Sequence, residues 1–168
     1  NQINQKSFFL LFVIVITKII FGFYLASFNP EFFFTTDSFE YVAPAKEICE
    51  NGRFYNEFNE PEIKRTPGTS IFLLPAICLD LDLRIYIVLL NSIMVLLSAY
   101  FTFKIVKLVD INISPVIIFL IFLIDPTLFK HQYNILSDII FLFCFTLALY
   151  LFIHGLNYKK FHYFLLGF

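Results

Sequence analysis

Three acidic side chains stand at the edges of long apolar runs: Asp37 shortly after the first run, Asp125 at the end of a later one, and Asp138 at the start of the next. An ionisable group at the membrane boundary is expensive to keep, which makes each a candidate for proton transfer or substrate binding. Ordinary roles compete with that reading. Asp37 followed by Glu40 matches a helix capping box, and Ser137-Asp138 opens an apolar helix as a capping pair would. Lys64-Arg65 immediately precedes Thr66-Pro67-Gly68, so a rigid turn holds two cations at the membrane surface. Arg offers a bidentate fork and Lys a point charge, a pair suited to a lipid-linked phosphate or to solvated headgroups. His131 falls near Asp138 and reads either as a metal ligand or as a surface histidine. Lys18 lies in the middle of the first apolar run, where it needs a partner or a polar gap between helices. No glycine-rich phosphate loop, nucleophile elbow or His-Glu-x-x-His pattern occurs.

The elements that must position these residues are membrane helices. Of 168 residues, 59% are hydrophobic and 15% charged, with a mean hydropathy of +0.79, far from the composition of a water-soluble domain. A net charge of -1 leaves no basic face for nucleic acid. Cys49, Cys78 and Cys144 are widely spaced, and the spacing implies neither a disulfide framework nor a zinc site. A helix needs about 20 apolar residues to cross the hydrocarbon. Four spans are expected, at 7–28, 83–103, 113–129 and 135–153, with a fifth beginning at 161; Asp125-Pro126 interrupts the third near its end. The first run has no cleavage site and reads as a retained span. Without an initiator Met and with an apolar run just begun at its end, the chain reads as the N-terminal part of a larger all-helical, multi-pass membrane protein.

The stretch 69–79 is too short to cross, reaching about 17 Å as a helix. It contains Pro75 and is expected to be interfacial or re-entrant with irregular backbone. Asp37 and Asp138 then emerge on one face, and Lys6, Lys104, Lys107, Lys159 and Lys160 on the other. The loop 29–68 also carries Lys46, Arg53, Lys64 and Arg65, so the Lys/Arg count is nearly tied. Its eight acids outnumber its four cations. A helix is expected over 38–50, stopped by Asn51-Gly52 and kinked or shortened by Pro44.

Asp37-Ser38-Phe39-Glu40-Tyr41, then Gly52-Arg53-Phe54, then Arg65-Thr66-Pro67-Gly68-Thr69-Ser70-Ile71-Phe72-Leu73, resemble the opening of the bacterial GT-C glycosyltransferases, relatives of the protein O-mannosyltransferases and of the lipid A aminoarabinose transferase. Asp125-Pro126, Asn134-Ile135-Leu136-Ser137-Asp138 and Leu147-Ala148-Leu149-Tyr150 are similar to that family's second outer loop and following helix, and Tyr163 to Phe168 to its next span. The resemblance implies a hexosyl- or pentosyltransferase that moves a sugar from a polyprenyl-phosphate donor to a lipid, glycan or protein acceptor on the outer face of a bacterial inner membrane, with the fragment alone inactive. It implies Asp37 and Asp138 as catalytic acids and Arg65 as the donor-phosphate contact; the residues themselves add Lys64, paired with Arg65 at the turn, as a second phosphate contact and Tyr41, one helical turn beyond Asp37, as a substrate-orienting residue. A divalent metal ion is the one cofactor it leaves room for. Asp37-Ser38 stands where the mannosyltransferases have Asp-Glu, and Lys64 where the aminoarabinose branch has an acid. The alternative class is a transporter or flippase subunit, to which an intramembrane charge such as Lys18 would belong.

Overall fold

The computed structural model describes residues 5–157, with side chains described over 9–156. Among the described residues the order is α1 (Gln5–Phe28), a 3-10 turn (Pro30–Phe33), α2 (Thr36–Asn51), α3 (Pro67–Cys78), α4 (Leu83–Leu108), α5 (Pro115–Ile124), α6 (Pro126–His131) and α7 (Asp138–Asn157). Three helices are long and apolar enough to cross a membrane, over Phe9–Phe28, Leu83–Leu108 and Asp138–Leu156. They correspond to the expected first, second and fourth spans. The run expected from 161, with Lys159 and Lys160, lies outside the described residues.

α1 and α4 run antiparallel, and Gly22 brings them close: a Cβ there would meet the Val88 side chain at 2.7 Å and the Tyr133 ring at 2.8 Å. The Arg84 Nη1 at the start of α4 donates to the Ala26 carbonyl near the end of α1 (3.2 Å). α4 and α7 run in the same direction. Met94, Val95 and Ile139 form a shared buried cluster, and further along the Phe101 ring lies tilted against Tyr150, with centroids 5.4 Å apart.

The expected third span, 113–129, is not one helix. α5 has ten residues, about 15 Å at 1.5 Å per residue, half of the hydrocarbon thickness. Pro126 has no N–H to donate to the carbonyl one turn back, and Asp125 leaves the helix with ψ 122° to cap α6, its Oδ1 accepting from Leu128 N–H at 2.8 Å. Asp125 therefore has the ordinary role of an N-cap. The break strands carbonyls in the last turn of α5. Lys18, buried at 5% exposure, donates its Nζ to the Leu123 carbonyl (3.3 Å) and lies over the Phe129 ring. A cation at a helix C-terminus is favourably placed against the dipole.

After α6 the chain stays irregular yet buried: Gln132, Tyr133, Asn134 and Ile135 are each 5% exposed or less. Buried backbone groups must find partners, and side chains supply them together with distant backbone. Asn91 Nδ2 donates to the carbonyls of Gln132 (2.9 Å) and Asn134 (3.4 Å). The Ser38 hydroxyl donates to the Ile135 carbonyl (2.9 Å), and Ile135 N–H to the Phe33 carbonyl (3.0 Å).

α2 and α3 lie side by side in the same direction, sealed by Tyr41, Ala45 and Leu73. The Ser70 hydroxyl donates to the Tyr41 carbonyl (3.0 Å). Their C-terminal ends are joined by a Cys49–Cys78 disulfide, with Cα atoms 5.5 Å apart. This corrects the expectation that no disulfide forms: a 29-residue separation becomes bonding distance only because the two helices are parallel and of similar length. Closing such a loop removes about 3 to 4 kcal/mol of unfolded-chain entropy in the chain-entropy model. The expected irregular 69–79 stretch is instead helical, with Pro67 at the first turn and Pro75 inside. Pro44 neither ends nor shortens α2, which continues to Asn51. The stop is the expected one: Gly52 takes the left-handed conformation (φ 67°), and its N–H bonds the Ile48 carbonyl at 3.0 Å.

Candidate functional site

The start of α2 brings Asp37, Glu40 and Tyr41 onto one face, since side chains three and four apart are neighbours on a helix. The expected capping role of Asp37 is corrected. The N-cap is Thr35, whose N–H donates to the Ser38 hydroxyl at 2.9 Å in a capping box, while Asp37 is the second residue inside the helix. Its carboxylate is half-exposed and pairs with Arg65, Nη2 to Oδ2 at 3.0 Å.

Arg65 is held from several sides in the turn leading to α3. Its Nε pairs with Glu40 Oε2, its Nη1 reaches the Tyr41 hydroxyl at 3.4 Å, and the guanidinium lies 5.2 Å from the centre of the Tyr41 ring. Lys64 pairs with the other oxygen of Glu40. Glu62 holds the turn itself, its Oε1 accepting from the N–H groups of Lys64 (2.6 Å) and Arg65 (3.0 Å). The hydrogen bonds from Lys64 and Arg65 hold the Glu40 carboxyl below its ordinary range, and Glu40 in turn raises Arg65.

Tyr41 is 5% exposed and so is not a surface contact. Its hydroxyl donates to Ser137 Oγ at 3.2 Å, which carries the cluster across to the start of α7. There Asp138, 56% exposed at its side chain, faces the buried His131 Nδ1 at 3.5 Å, without a hydrogen bond between them. Asp138 also borders a cleft of about 370 Å³ with Thr66, Thr69, Ser137, Phe141 and Cys144. Asp37 and Asp138 thus lie at the same end of the helix bundle, linked through Arg65, Tyr41 and Ser137.

Of the residues expected at the site, Asp37, Tyr41, Lys64, Arg65 and Asp138 lie at this one end of the bundle, and Glu40, which was not among them, is the side chain that touches both cations. The signal was present: Glu40 follows Asp37 by three residues and precedes Tyr41, the spacing of a shared helix face. Ser137, expected as part of a cap, instead accepts from the Tyr41 hydroxyl. Among the described residues no three His, Cys, Asp or Glu side chains assemble as a metal-binding group. His131 Nδ1 and Asp138 Oδ2 stand 3.5 Å apart and bring two possible donors together. Compared with family models, curated proteins and solved structures, the chain matches none.

Proposed function

We propose that this chain is part of a membrane glycosyltransferase of the GT-C type, which takes a sugar from a polyprenyl-phosphate donor and transfers it to a lipid, glycan or protein acceptor on the outer face of a bacterial inner membrane. The observation that carries the reading is the setting of the Asp37 carboxylate beside the Arg65 guanidinium, with Lys64 next to it, at the end of the bundle where α4 and α7 begin. Transfer from a phosphate-linked sugar needs both signs. Asp37 accepts the proton of the acceptor hydroxyl as its oxygen bonds to the anomeric carbon. The bond from that carbon to the donor's phosphate oxygen breaks, and the electron pair leaves with the phosphate, stabilised by Arg65 and Lys64. Asp138, reached through Tyr41 and Ser137, is the second acid of the site.

The Cys49–Cys78 disulfide supports an outward orientation, because such bonds persist in oxidising compartments. Lys104 and Lys107, at the far end of α4 from this cluster, suit the cytoplasmic side. The loop 29–68 is accordingly the outer loop of the transmembrane domain. The alternative reading is a transporter or flippase subunit; Lys18, the intramembrane charge it draws on, donates to the Leu123 carbonyl at 3.3 Å.

The test is turnover of radiolabelled polyprenyl-phosphate sugars by the full-length protein in vesicles. Arg65→Ala should lower turnover about 10- to 100-fold, the loss of a charge-assisted interaction of about 1.5 to 3 kcal/mol, and Arg65→Lys should restore part of it. Unchanged kinetics in Arg65→Ala would assign the residue to headgroup solvation. No turnover with any donor, alongside measurable lipid flux, would favour the transporter.

A further inference from the structure

The cations of this site are already occupied. One carboxylate, Glu40, reaches Lys64 Nζ with one oxygen and Arg65 Nε with the other, the bridging arrangement that two oxygens of a phosphate would take. Asp37 fills Arg65 Nη2, and Glu62 fills the backbone N–H groups of both residues. Three carboxylates therefore face two cations, and an arriving phosphate would meet a cluster of net negative charge. Asp37 is needed for proton transfer, and Glu62 shapes the turn through two backbone bonds. Glu40 does neither, and the capping box it was expected to complete is made by Ser38.

We propose that Glu40 is an internal placeholder for the donor's phosphate group: it holds Lys64 and Arg65 in position when the site is empty and is displaced when a phosphate ester binds. This rests on the reading of Lys64 and Arg65 as phosphate-binding cations given above. A cleft of about 240 Å³ opens beside Glu40 between α2 and the 54–64 segment; Glu57, Glu60 and Glu62 share its border with Ala43, Pro44 and Phe58, so a displaced carboxylate turns outward to water and not into the cleft. The ion pairs keep the carboxylate charged at neutral pH, so the exchange is of one anion for another. Partial exposure of Glu40 and Arg65, 27% and 24% at their side chains, leaves water to solvate each partner as they separate.

The experiment is equilibrium binding of a fluorescent short-chain polyprenyl monophosphate to the full-length protein in nanodiscs, with inorganic phosphate titrated in parallel. Glu40→Gln keeps the size of the side chain and removes its charge. It should tighten binding about fivefold, the scale of one like charge removed at close range in water, and the gain should vanish when Lys64 and Arg65 are both replaced by Ala. Tightening in both arms assigns the exchange to the phosphate group itself; tightening for the lipid probe alone assigns it to a lipid-borne phosphate. Equal or weaker binding of both probes by Glu40→Gln and Glu40→Ala, while Arg65→Ala still weakens binding, would overturn the placeholder role and leave the phosphate site standing. An Arg65→Ala protein that binds both probes as wild type does would overturn the phosphate site, and the placeholder with it.

Discussion

Two regions of this molecule concentrate polar side chains, and they use them in opposite ways. Inside the bundle, Lys18, Asn91 and Ser38 each donate to a backbone carbonyl that a helix break or an irregular segment has left without a partner. At the end of the bundle, Asp37, Glu40, Lys64 and Arg65 bind mainly one another, side chain to side chain, with part of their surface open to water. The first arrangement cannot be exchanged without stranding a buried carbonyl. The second can, because each partner that leaves can be replaced by water or by a ligand group. Polarity at depth is thus no evidence of function by itself; what the polar atom satisfies decides it.

The comparison breaks most visibly at Asp37. Thr35 caps α2, so Asp37→Asn removes a charge without removing a cap, and the folded protein should lose well under about 1 kcal/mol. Turnover in the full-length protein should fall about 100- to 10,000-fold, because an amide cannot accept the proton. Near-normal turnover at matched expression would move Asp37 to the same structural class as Lys18 and leave Asp138 as the acid to test.

The converse belongs to Asn91, which is 1% exposed. Asn91→Ala should cost about 1 to 3 kcal/mol, since it strands the carbonyl of Gln132 in the bundle, while the Asn134 carbonyl keeps the Leu136 N–H at 3.0 Å. Thermal unfolding in detergent measures the loss. Turnover per folded molecule should change little. A variant with wild-type stability and collapsed turnover would mean that the interior is not purely structural and that the division between the regions is drawn in the wrong place.

How much of this was legible in the sequence follows from the same division. Runs of apolar residues long enough to cross a bilayer announce α1, α4 and α7, since lipid solvates the side chains and the backbone satisfies itself. Glycine after Asn51 announces the end of α2, because the left-handed turn needs it. The broken helix at Asp125-Pro126 was less legible: hydropathy stays high across 113–129, whereas the missing N–H of Pro126 acts on hydrogen bonding. The partner of Lys18 was not legible at all, and that of Arg65 only as far as the helix face shared by Asp37, Glu40 and Tyr41. Leu123 lies 105 residues from Lys18, and Glu40 lies 25 from Arg65, so both contacts depend on packing that no local pattern encodes. The same holds for Cys49 and Cys78, whose pairing needs α2 and α3 to be parallel.

The smallest expected effect tests the connection between the two regions. Tyr41 is buried like the interior residues, yet it touches the charged cluster: its hydroxyl meets Ser137 and Arg65, and its ring lies beneath the guanidinium. Tyr41→Phe keeps the ring and so keeps the cation–π contact and most of the packing. It removes one hydrogen bond of 3.2 Å and a longer one of 3.4 Å, together worth about 0.5 to 1.5 kcal/mol. Ser137 is only half-buried, so water can replace the lost partner and the cost should fall at the lower end. Turnover should stay within about tenfold of wild type, which is about 1.4 kcal/mol at the barrier. If Tyr41→Phe instead matched Asp37→Asn in turnover while its thermal unfolding stayed put, the hydroxyl would belong to the reacting site, and the path from Arg65 through Tyr41 to Ser137 would have to be read as part of the chemistry and not as its support.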